Sequence, residues 1–241
     1  MAGLSPDPQA AGQALYTSSS TQRHSLGEKM AGPSGAVYRY VKAGAVDLVA
    51  GNWIQSPAQV ANHQNIAPAA AAIGATTITV TLGATAATAN QYAGGKAVVT
   101  ITPGLGQELN IVGHPAADAS ATLTLTLAEP LRVALTASTR IDLCPNQYNG
   151  VIQSPVTTLT GVPVGVAPYI ITAAEFGWLL VDGLAGALIA GTPAVGAAIV
   201  LPGTAAGAAV VDGAASATIV VGCMASTGGD GECNGVFVKI G

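Results

Sequence analysis

The most hydrophobic part of the sequence, residues 161–207, is interrupted every few positions by glycine or proline. These interruptions disfavour a helix, because an interior glycine costs about 1 kcal/mol and an interior proline about 3 kcal/mol relative to alanine. The apolar segments between them have the length of β-strands. The pattern therefore predicts consecutive strands of a compact β barrel or sandwich, at residues 168–173, 176–181, 185–190 and 194–201.

Residues 178–201 are also long and apolar enough to raise the alternative of a membrane helix. A spanning helix requires about 20 apolar residues with few interruptions, whereas Asp182, Pro193 and several glycines interrupt this stretch. Neither end carries the lysine or arginine residues that set the orientation of a membrane helix. We therefore predict strands in this stretch and no membrane partner.

Alternating threonine and aliphatic residues predict a second group of strands at residues 76–82, 96–102 and 121–127. β-Branched residues favour strands, and this alternation is typical of a sheet with one buried and one solvated face. Less regular candidates follow at residues 131–135 and 139–143. The pattern indicates a separate antiparallel β unit.

Shorter strands are predicted on both sides of these two regions. Residues 36–55 begin with a period of two and then turn, which predicts a small meander with strands at 37–42 and 47–50. Near the end of the chain, residues 217–221 and 235–240 predict the last two strands. The fold class predicted from the whole pattern is mainly β, with barrel- or sandwich-like domains.

The first part of the chain differs from the rest. Residues 1–35 are polar, aperiodic and rich in Gly, Ser, Pro and Gln, which predicts an extended N-terminal arm. A linker with a short helix around residues 58–62 is predicted before the second group of strands. The predicted domains are the arm, a discontinuous β barrel or sandwich domain formed by residues 36–74 and 144–241, and the inserted antiparallel β unit at residues 75–143.

The composition bears on function more than on fold. Charged residues make up 8% of the chain, against about 25% in ordinary globular proteins. The surface is therefore either covered by Thr, Ser, Gly, Ala and Asn or buried against other copies or partners. Both possibilities favour a component of a large assembly over a free metabolic enzyme. The net charge of −4 and the scattered basic residues argue against a nucleic-acid partner.

Residues typical of catalytic sites are few and dispersed. The Gly113–His114–Pro115 step with Asp118 nearby is interpreted as a turn, and the three Asp-Gly steps at 182, 212 and 230 predict hairpin turns. Neither a nucleophile elbow nor a phosphate-binding loop is present. We therefore predict that the protein is not an enzyme and has no catalytic residues, no cofactor and no metal.

The three cysteines, Cys144, Cys223 and Cys233, are an odd number, which argues against a disulfide-stapled secreted domain. Cys223 and Cys233 flank a turn-rich run, so they either face each other across a hairpin or are two small buried thiols. No Cys-x-x-Cys motif occurs, which argues against zinc. The first twenty residues lack the basic start and apolar core of a signal peptide, so we expect synthesis in a reducing cytoplasm.

Several aromatic and basic residues are candidate contacts with a partner molecule. Three lie in the predicted arm, which could dock on a neighbouring molecule or remain an undocked tail. Two others are spaced two apart and face the same way in a strand, and one tryptophan is interpreted as a core or interface residue. The candidate partner-contact residues are Tyr16, Arg23, His24, Trp53, Phe176 and Trp178.

The order of several segments resembles a known group of proteins. A polar arm precedes residues 35–55 (GAVYRYVKAGAVDLVAGNWIQ), Thr/Val-rich strands surround residues 88–95 (TANQYAGG), and residues 161–173 lead into Phe-Gly-Trp at 176–178 before a closing hairpin at 222–238. This arrangement resembles the head-surface structural proteins of tailed bacteriophages, the capsid decoration or cement proteins. The nearest matches are the phrases Arg-Tyr-Val at 39–41 and Phe-Gly-Trp at 176–178.

The resemblance implies a β-rich virion protein, often trimeric, that sits on the outer face of an icosahedral shell and binds the major capsid protein where subunits meet. It implies no catalytic residues. We therefore expect a capsid decoration protein that is a homo-oligomer, a trimer by resemblance, and is located on the capsid surface of the virion. The alternatives are another virion component (a tail, fibre or major capsid protein), a bacterial surface adhesin and, as the enzyme alternative, a hydrolase.

Overall fold

The regular secondary structure of the described residues is almost entirely β-strand, which confirms the predicted mainly β class. A computed structural model describes residues 12–212 and 219–240. Within these residues the only helical segments are two 3-10 turns, Pro33–Gly35 and Ala61–His63, and no helix is long and apolar enough to span a membrane. The strands are β1 (Lys29–Ala31), β2 (Val37–Ala43), β3 (Trp53–Gln55), β4 (Thr77–Thr81), β5 (Lys96–Ile101), β6 (Glu108–Gly113), β7 (Thr122–Leu127), β8 (Arg140–Cys144), β9 (Asn149–Gln153), β10 (Pro163–Val166), β11 (Phe176–Ala190), β12 (Ala198–Leu201), β13 (Ala209–Val211), β14 (Ile219–Met224) and β15 (Glu232–Lys239).

The chain divides into two compact units. Unit 2 is Ala58–Asn146, and unit 1 is formed by the chain up to Pro57 and from Gln147 onward. The boundaries therefore differ from those in the sequence prediction, which placed residues 58–74 in the larger domain. These residues belong to unit 2 because Ile66 pairs with Ile141 and Pro68 pairs with Val80.

Strand β11 organises unit 1, because it belongs to two closed five-stranded barrels. Its first half pairs with β10 and β2, and these strands connect through β3 and β9 to close the first barrel in the order β2-β9-β3-β10-β11. Its second half pairs with β13 and β15, which connect through β12 and β14 to close the second barrel. Because each barrel is closed, its five strands leave no unpaired edge.

The transfer from one barrel to the other occurs at Asp182. This residue pairs with Val37 of β2 on one side and with Lys239 of β15 on the other. Gly183 follows with a φ of 117°, a value that glycine adopts without strain. The sequence prediction of two strands separated by an Asp182-Gly183 hairpin turn is therefore wrong, because the backbone continues through this step as one strand of 15 residues.

Each barrel of unit 1 has an aliphatic interior. Alternate residues of a strand point to the same side. Every strand of each barrel therefore contributes at least one buried side chain to the interior of that barrel. The first interior contains Val41, Ala43, Ile54, Val151, Val164 and Leu179. The second contains Ala187, Ile189, Ile199, Leu201, Ala209, Val221, Val236 and Val238.

Unit 2 contains the strands with the clearest sequence pattern. Its sheet has the order β4-β7-β6-β5-β8, and residues 66–68 bridge β8 to β4. The three leucines of β7 are buried and its three threonines are exposed, as the alternation predicts. Strands β1, β3, β6, β9, β10 and β13 were not predicted. Residues 47–50, 131–135 and 168–173 form isolated bridges in place of the predicted strands.

Candidate interaction surfaces

The described part of the predicted arm is packed against unit 1 and is not extended. Leu15 is buried in the core of unit 1, Ser19 pairs with Phe176, and strand β1 pairs with β2. Residues 1–11 of the predicted arm lie outside the described residues. Hydrogen bonds and the packing of Leu15, Leu26 and Met30 on the core attach this polar segment to the strands beneath.

Gln13 makes the central attachment of this segment. Its Oε1 accepts a hydrogen bond from the Tyr40 hydroxyl at 2.6 Å, and its Nε2 donates to the Phe176 carbonyl oxygen at 2.9 Å and to the Thr17 carbonyl oxygen at 2.8 Å. A buried amide that lacks these partners costs about 1–3 kcal/mol. The three bonds therefore fix the segment at one position on the barrel.

Three of the candidate contact residues lie inside unit 1. Trp53 and Trp178 have no exposed surface, and Phe176 is 8% exposed. The indole Nε1 of Trp53 donates to the Leu188 carbonyl oxygen at 3.1 Å. Phe176 and Trp178 lie beneath the N-terminal segment, and Trp53 is buried in the same hydrophobic cluster. None of the three is available to a partner of the folded chain.

The other three candidates occupy the N-terminal segment itself. His24 is largely buried, because its ring lies 4.9 Å from that of Trp178 and 5.1 Å from that of Tyr40. Its Nδ1 lies 3.0 Å from Glu28. Tyr16 is 63% exposed and Arg23 is also exposed. Of the six predicted contacts, only these two are accessible to a partner.

An apolar surface that was not predicted lies on the outside of the second barrel. Leu184 of β11 is opposite Phe237 of β15, which in turn is opposite Cys223 of β14. All three are exposed, and Val220 of β14 is 55% exposed beside them. We call Leu184, Val220, Cys223 and Phe237 the Phe237 face. The alternation Val-Phe-Val at residues 236–238 carried the signal, since it turns Phe237 away from two core valines.

Two clefts flank the Phe237 face. One has a volume of about 520 Å³ and is lined by Val220, Gly222, Phe237, Asp182 and Lys239, among others. The other, of about 360 Å³, is lined by Leu184 together with Tyr16 and Tyr38. Burial, with the neighbouring Tyr16 as a smaller cause, raises the pKa of Tyr38 to about 12. This hydroxyl therefore stays neutral at physiological pH.

A second apolar surface is formed by three adjacent loops of unit 2. The turn at residues 71–75 is hydrogen-bonded to residues 131–135, and the hairpin loop at residues 103–107 lies beside them. Each loop exposes one aliphatic side chain: Ile73 is 68% exposed, Leu105 67% and Val133 43%. We call these three side chains the loop end of unit 2.

Gln107 holds two of these loops together. Its Oε1 accepts hydrogen bonds from the backbone N–H groups of Arg132 at 2.8 Å and Val133 at 3.2 Å. The third loop is fixed to the same segment by the paired backbone bonds of Ala71 and Leu135, 2.9–3.0 Å long. The three loops of the loop end are therefore held together by hydrogen bonds, and each exposes one aliphatic side chain, with the exposed Arg132 beside Val133. Loops held on a rigid scaffold commonly carry binding sites.

Unit 2 also contains a buried network of two histidines and a tyrosine. His63 Nε2 donates to the Thr85 carbonyl oxygen at 2.9 Å, so its Nδ1 accepts from the Tyr92 hydroxyl. His114 Nε2 accepts from the Tyr92 backbone N–H at 3.0 Å, and its Nδ1 donates to the Pro115 carbonyl oxygen at 2.7 Å. Burial raises the pKa of Tyr92 to about 12. The network has a structural role, since every ring nitrogen has a partner.

Substitution of Tyr92 by phenylalanine is expected to lower the free energy of unfolding by about 1–3 kcal/mol, because it leaves His63 Nδ1 buried without a donor. Urea unfolding of the full chain, followed by circular dichroism, measures the change. Thr124→Val is the matched control, since it also removes one hydroxyl of unit 2, an exposed one that contacts Thr79. The control is expected to change stability by less than about 0.5 kcal/mol. Equal midpoints for the two variants would contradict the structural role of the network.

The cysteines do not form a disulfide in this structure. All three are free, with Cys144 half-buried and the other two exposed. The register explains why the hairpin pairing is absent: Cys223 is opposite Phe237, whereas Cys233 is opposite Leu188. Cys223 and Cys233 are both exposed, so neither is a buried thiol. The two predictions for this pair, facing thiols across a hairpin and buried thiols, are therefore both wrong.

Within residues 12–212 and 219–240, no group of three or more His, Cys, Asp or Glu side chains could hold a metal ion.

Comparison with known proteins adds no identification. No protein-family model, no curated protein and no solved structure matches the chain. A functional assignment therefore depends on the two apolar surfaces, the sparse charge and the segments that carry the sequence resemblance.

Proposed function

We propose that the protein is a capsid decoration protein of a tailed bacteriophage. It binds the major capsid protein on the outer face of the head as a homo-oligomer, a trimer by resemblance, and stabilises the shell without catalysing a reaction. The loop end of unit 2 is the observation that carries this proposal. Its three exposed aliphatic side chains are held on a rigid scaffold, as a surface that adheres to another protein requires.

The sparse charge of the chain supports the same function. A free monomer of this size normally has a surface that is about 25–35% charged, whereas only 8% of all residues are charged here. Side chains such as Ile73 and Leu105 instead expose about two thirds of their surface. A permanent neighbour that covers such residues gains about 25 cal/mol for each Å² of apolar surface removed from water.

The geometry of a shell makes modest contacts sufficient. A filled head presses outward, and a protein that bridges subunit joints resists this pressure by adding buried area. A contact of standard size buries about 1,600 Å², and contacts made by linked copies reinforce one another through effective concentration. The protein therefore requires adhesive apolar surfaces and a stable β body, and it requires no reactive site.

Binding to heads tests the proposal. The purified chain is mixed with heads assembled from the major capsid protein of the virus that encodes it, and the bound fraction is measured by sedimentation. We expect the chain to sediment with the heads and to appear as density on their outer face by electron microscopy. Leu105→Ser is expected to weaken binding about tenfold, which corresponds to about 1.4 kcal/mol.

Val46→Ser is the matched control for this experiment. Val46 is 68% exposed, like Leu105, but lies in unit 1 outside the loop end, so its substitution is expected to leave binding unchanged. Heads that sediment without the chain, or a chain found only inside the particle, would contradict a decoration role. Equal weakening by both variants would remove the loop end as the contact surface.

A further inference from the structure

We propose that the Phe237 face is the surface through which copies of this chain contact one another. The occupant of this face is therefore a second copy. The inference rests on the proposed function in one respect, since a decoration protein that acts as a homo-oligomer requires such a contact. It adds the location of that contact, which neither the sequence pattern nor the resemblance supplies.

The shape of the face suits a protein partner. The Phe237 ring stands between Leu184 and Cys223 on three adjacent strands, and 54% of it is exposed. Next to it, Gly186 and Gly235 are directly opposite each other and add no side chain to the surface. Aromatic side chains, phenylalanine included, are enriched at protein interfaces.

The adjoining cleft can receive a side chain from another molecule. It has a volume of about 520 Å³ and lies between Val220 and Phe237, within the size range of sites that enclose small organic molecules. An aromatic side chain fits in this volume. A second copy presents such a group, its own Phe237, from the same surface that carries the cleft.

The charges at the cleft permit contact between two copies. The chain has a net charge of −4, so two copies repel each other at most relative orientations. Among the residues that the structure describes, the charges that line the cleft are Asp182 and Lys239, which form an ion pair of 2.9 Å and sum to zero. Copies that meet at this face therefore avoid like-charge repulsion.

The ion pair also provides complementarity between copies. Asp182 and Lys239 are directly opposite on neighbouring strands, and the Lys239 side chain is 73% exposed. In a trimer the contact runs in one direction around the ring, so the Lys239 of each copy would face the Asp182 of the next. Opposite charges at the rim of an apolar patch fix the orientation in which two surfaces meet.

Self-association of the full chain, measured without any capsid protein, tests the inference. Analytical ultracentrifugation at micromolar concentration is expected to show an oligomer. Phe237→Ser is expected to raise its dissociation constant by at least about tenfold, as loss of a central aromatic at an interface does. Val195→Ser is the control, because Val195 is 62% exposed in unit 1 outside the face. Circular dichroism checks that both variants fold.

Cross-linking gives a second measurement that depends on the location of the contact. In a Cys144→Ser, Cys233→Ser chain the remaining thiol is Cys223, in the Phe237 face. A short bismaleimide is expected to join such chains covalently, and adding Phe237→Ser is expected to abolish the product. The measurement therefore reports whether two copies of this face approach each other.

The outcomes separate this inference from the proposed function. A chain that is monomeric at high micromolar concentration overturns the inference, and so does an oligomer that persists in Phe237→Ser without cross-linking through Cys223. If that monomer still binds heads, the decoration role stands, and loss of head binding in Phe237→Ser would assign the face to the capsid protein. If the oligomer forms as expected but does not bind heads, the inference stands and the decoration role fails.

Discussion

Replacement of Trp178 by alanine is expected to lower the free energy of unfolding by about 3–5 kcal/mol, the usual cost of removing a buried large aromatic side chain. Trp178 has no exposed surface and contacts the rings of His24 and Tyr40 at centroid distances of 4.9 Å. It lies on β11, the strand that both barrels of unit 1 share. The resulting cavity therefore removes support from the N-terminal segment and from the strand at the centre of the unit.

Guanidinium unfolding followed by circular dichroism measures this change, which is a large part of the about 5–15 kcal/mol that stabilises ordinary domains. Trp178→Phe is the matched control. This variant keeps an aromatic ring at position 178, in contact with the ring of Tyr40. It removes an indole N–H that has no hydrogen-bond partner among the described residues. The control is expected to cost less than half as much as the alanine variant. Similar losses for both would mean that the ring contacts contribute little.

The strands with local signals were predictable from the sequence. Strand β7 reads Thr-Leu three times, and its burial alternates residue by residue in the structure. This pattern requires no knowledge of the partners, because one face of the strand meets a core and the other meets water. Strand β6 shows the same alternation, with Leu109 and Ile111 buried, so its sequence carried a signal that the prediction did not use.

Long-range pairing decided the elements that the sequence did not predict. The Asp182-Gly183 step has the composition of a hairpin turn, yet Asp182 is paired with Val37 and with Lys239 at the junction of two barrels. Strands β9 and β10 are four or five residues long and contain glycine. Strand β9 pairs with β2 and β3, and β10 pairs with β3 as well as with the adjacent β11. Because β2 and β3 lie far earlier in the chain, no local pattern could identify these pairings.

The same limit applies to the candidate contacts. Large aromatic residues are enriched at protein interfaces, and they also form cores, so Trp53, Phe176 and Trp178 fitted both roles. The N-terminal segment that covers Phe176 and Trp178 is polar, and its attachment depends on Gln13 and Leu15. Nothing in a polar, aperiodic segment indicates that it packs against distant strands. Only the structure shows which side chains are exposed to a partner, and the exposed side chains include those of the Phe237 face.

Substitution of Gly165 by alanine is expected to destabilise the protein by about 2–6 kcal/mol, the sum of about 1–3 kcal/mol for backbone strain and about 1–3 kcal/mol for overpacking. Gly165 lies in β10, between β3 and β11, where the pairing with β3 shifts register. Its φ is 151°. An added Cβ would lie 2.7 Å from the Leu180 carbonyl oxygen and 2.9 Å from the Leu179 Cβ.

The neighbouring strand provides the control, Gly186→Ala. Gly186 is in β11, its φ is not positive, and an added Cβ would have no heavy atom within 4 Å. This substitution is expected to change stability by less than about 0.5 kcal/mol, measured by urea unfolding of both variants. If both glycines tolerate alanine equally, the close approach of β10 to β11 is wrong, and so is the closure of the first barrel. A loss confined to Gly165→Ala instead supports the close packing of β10 on β11 that closes the first barrel.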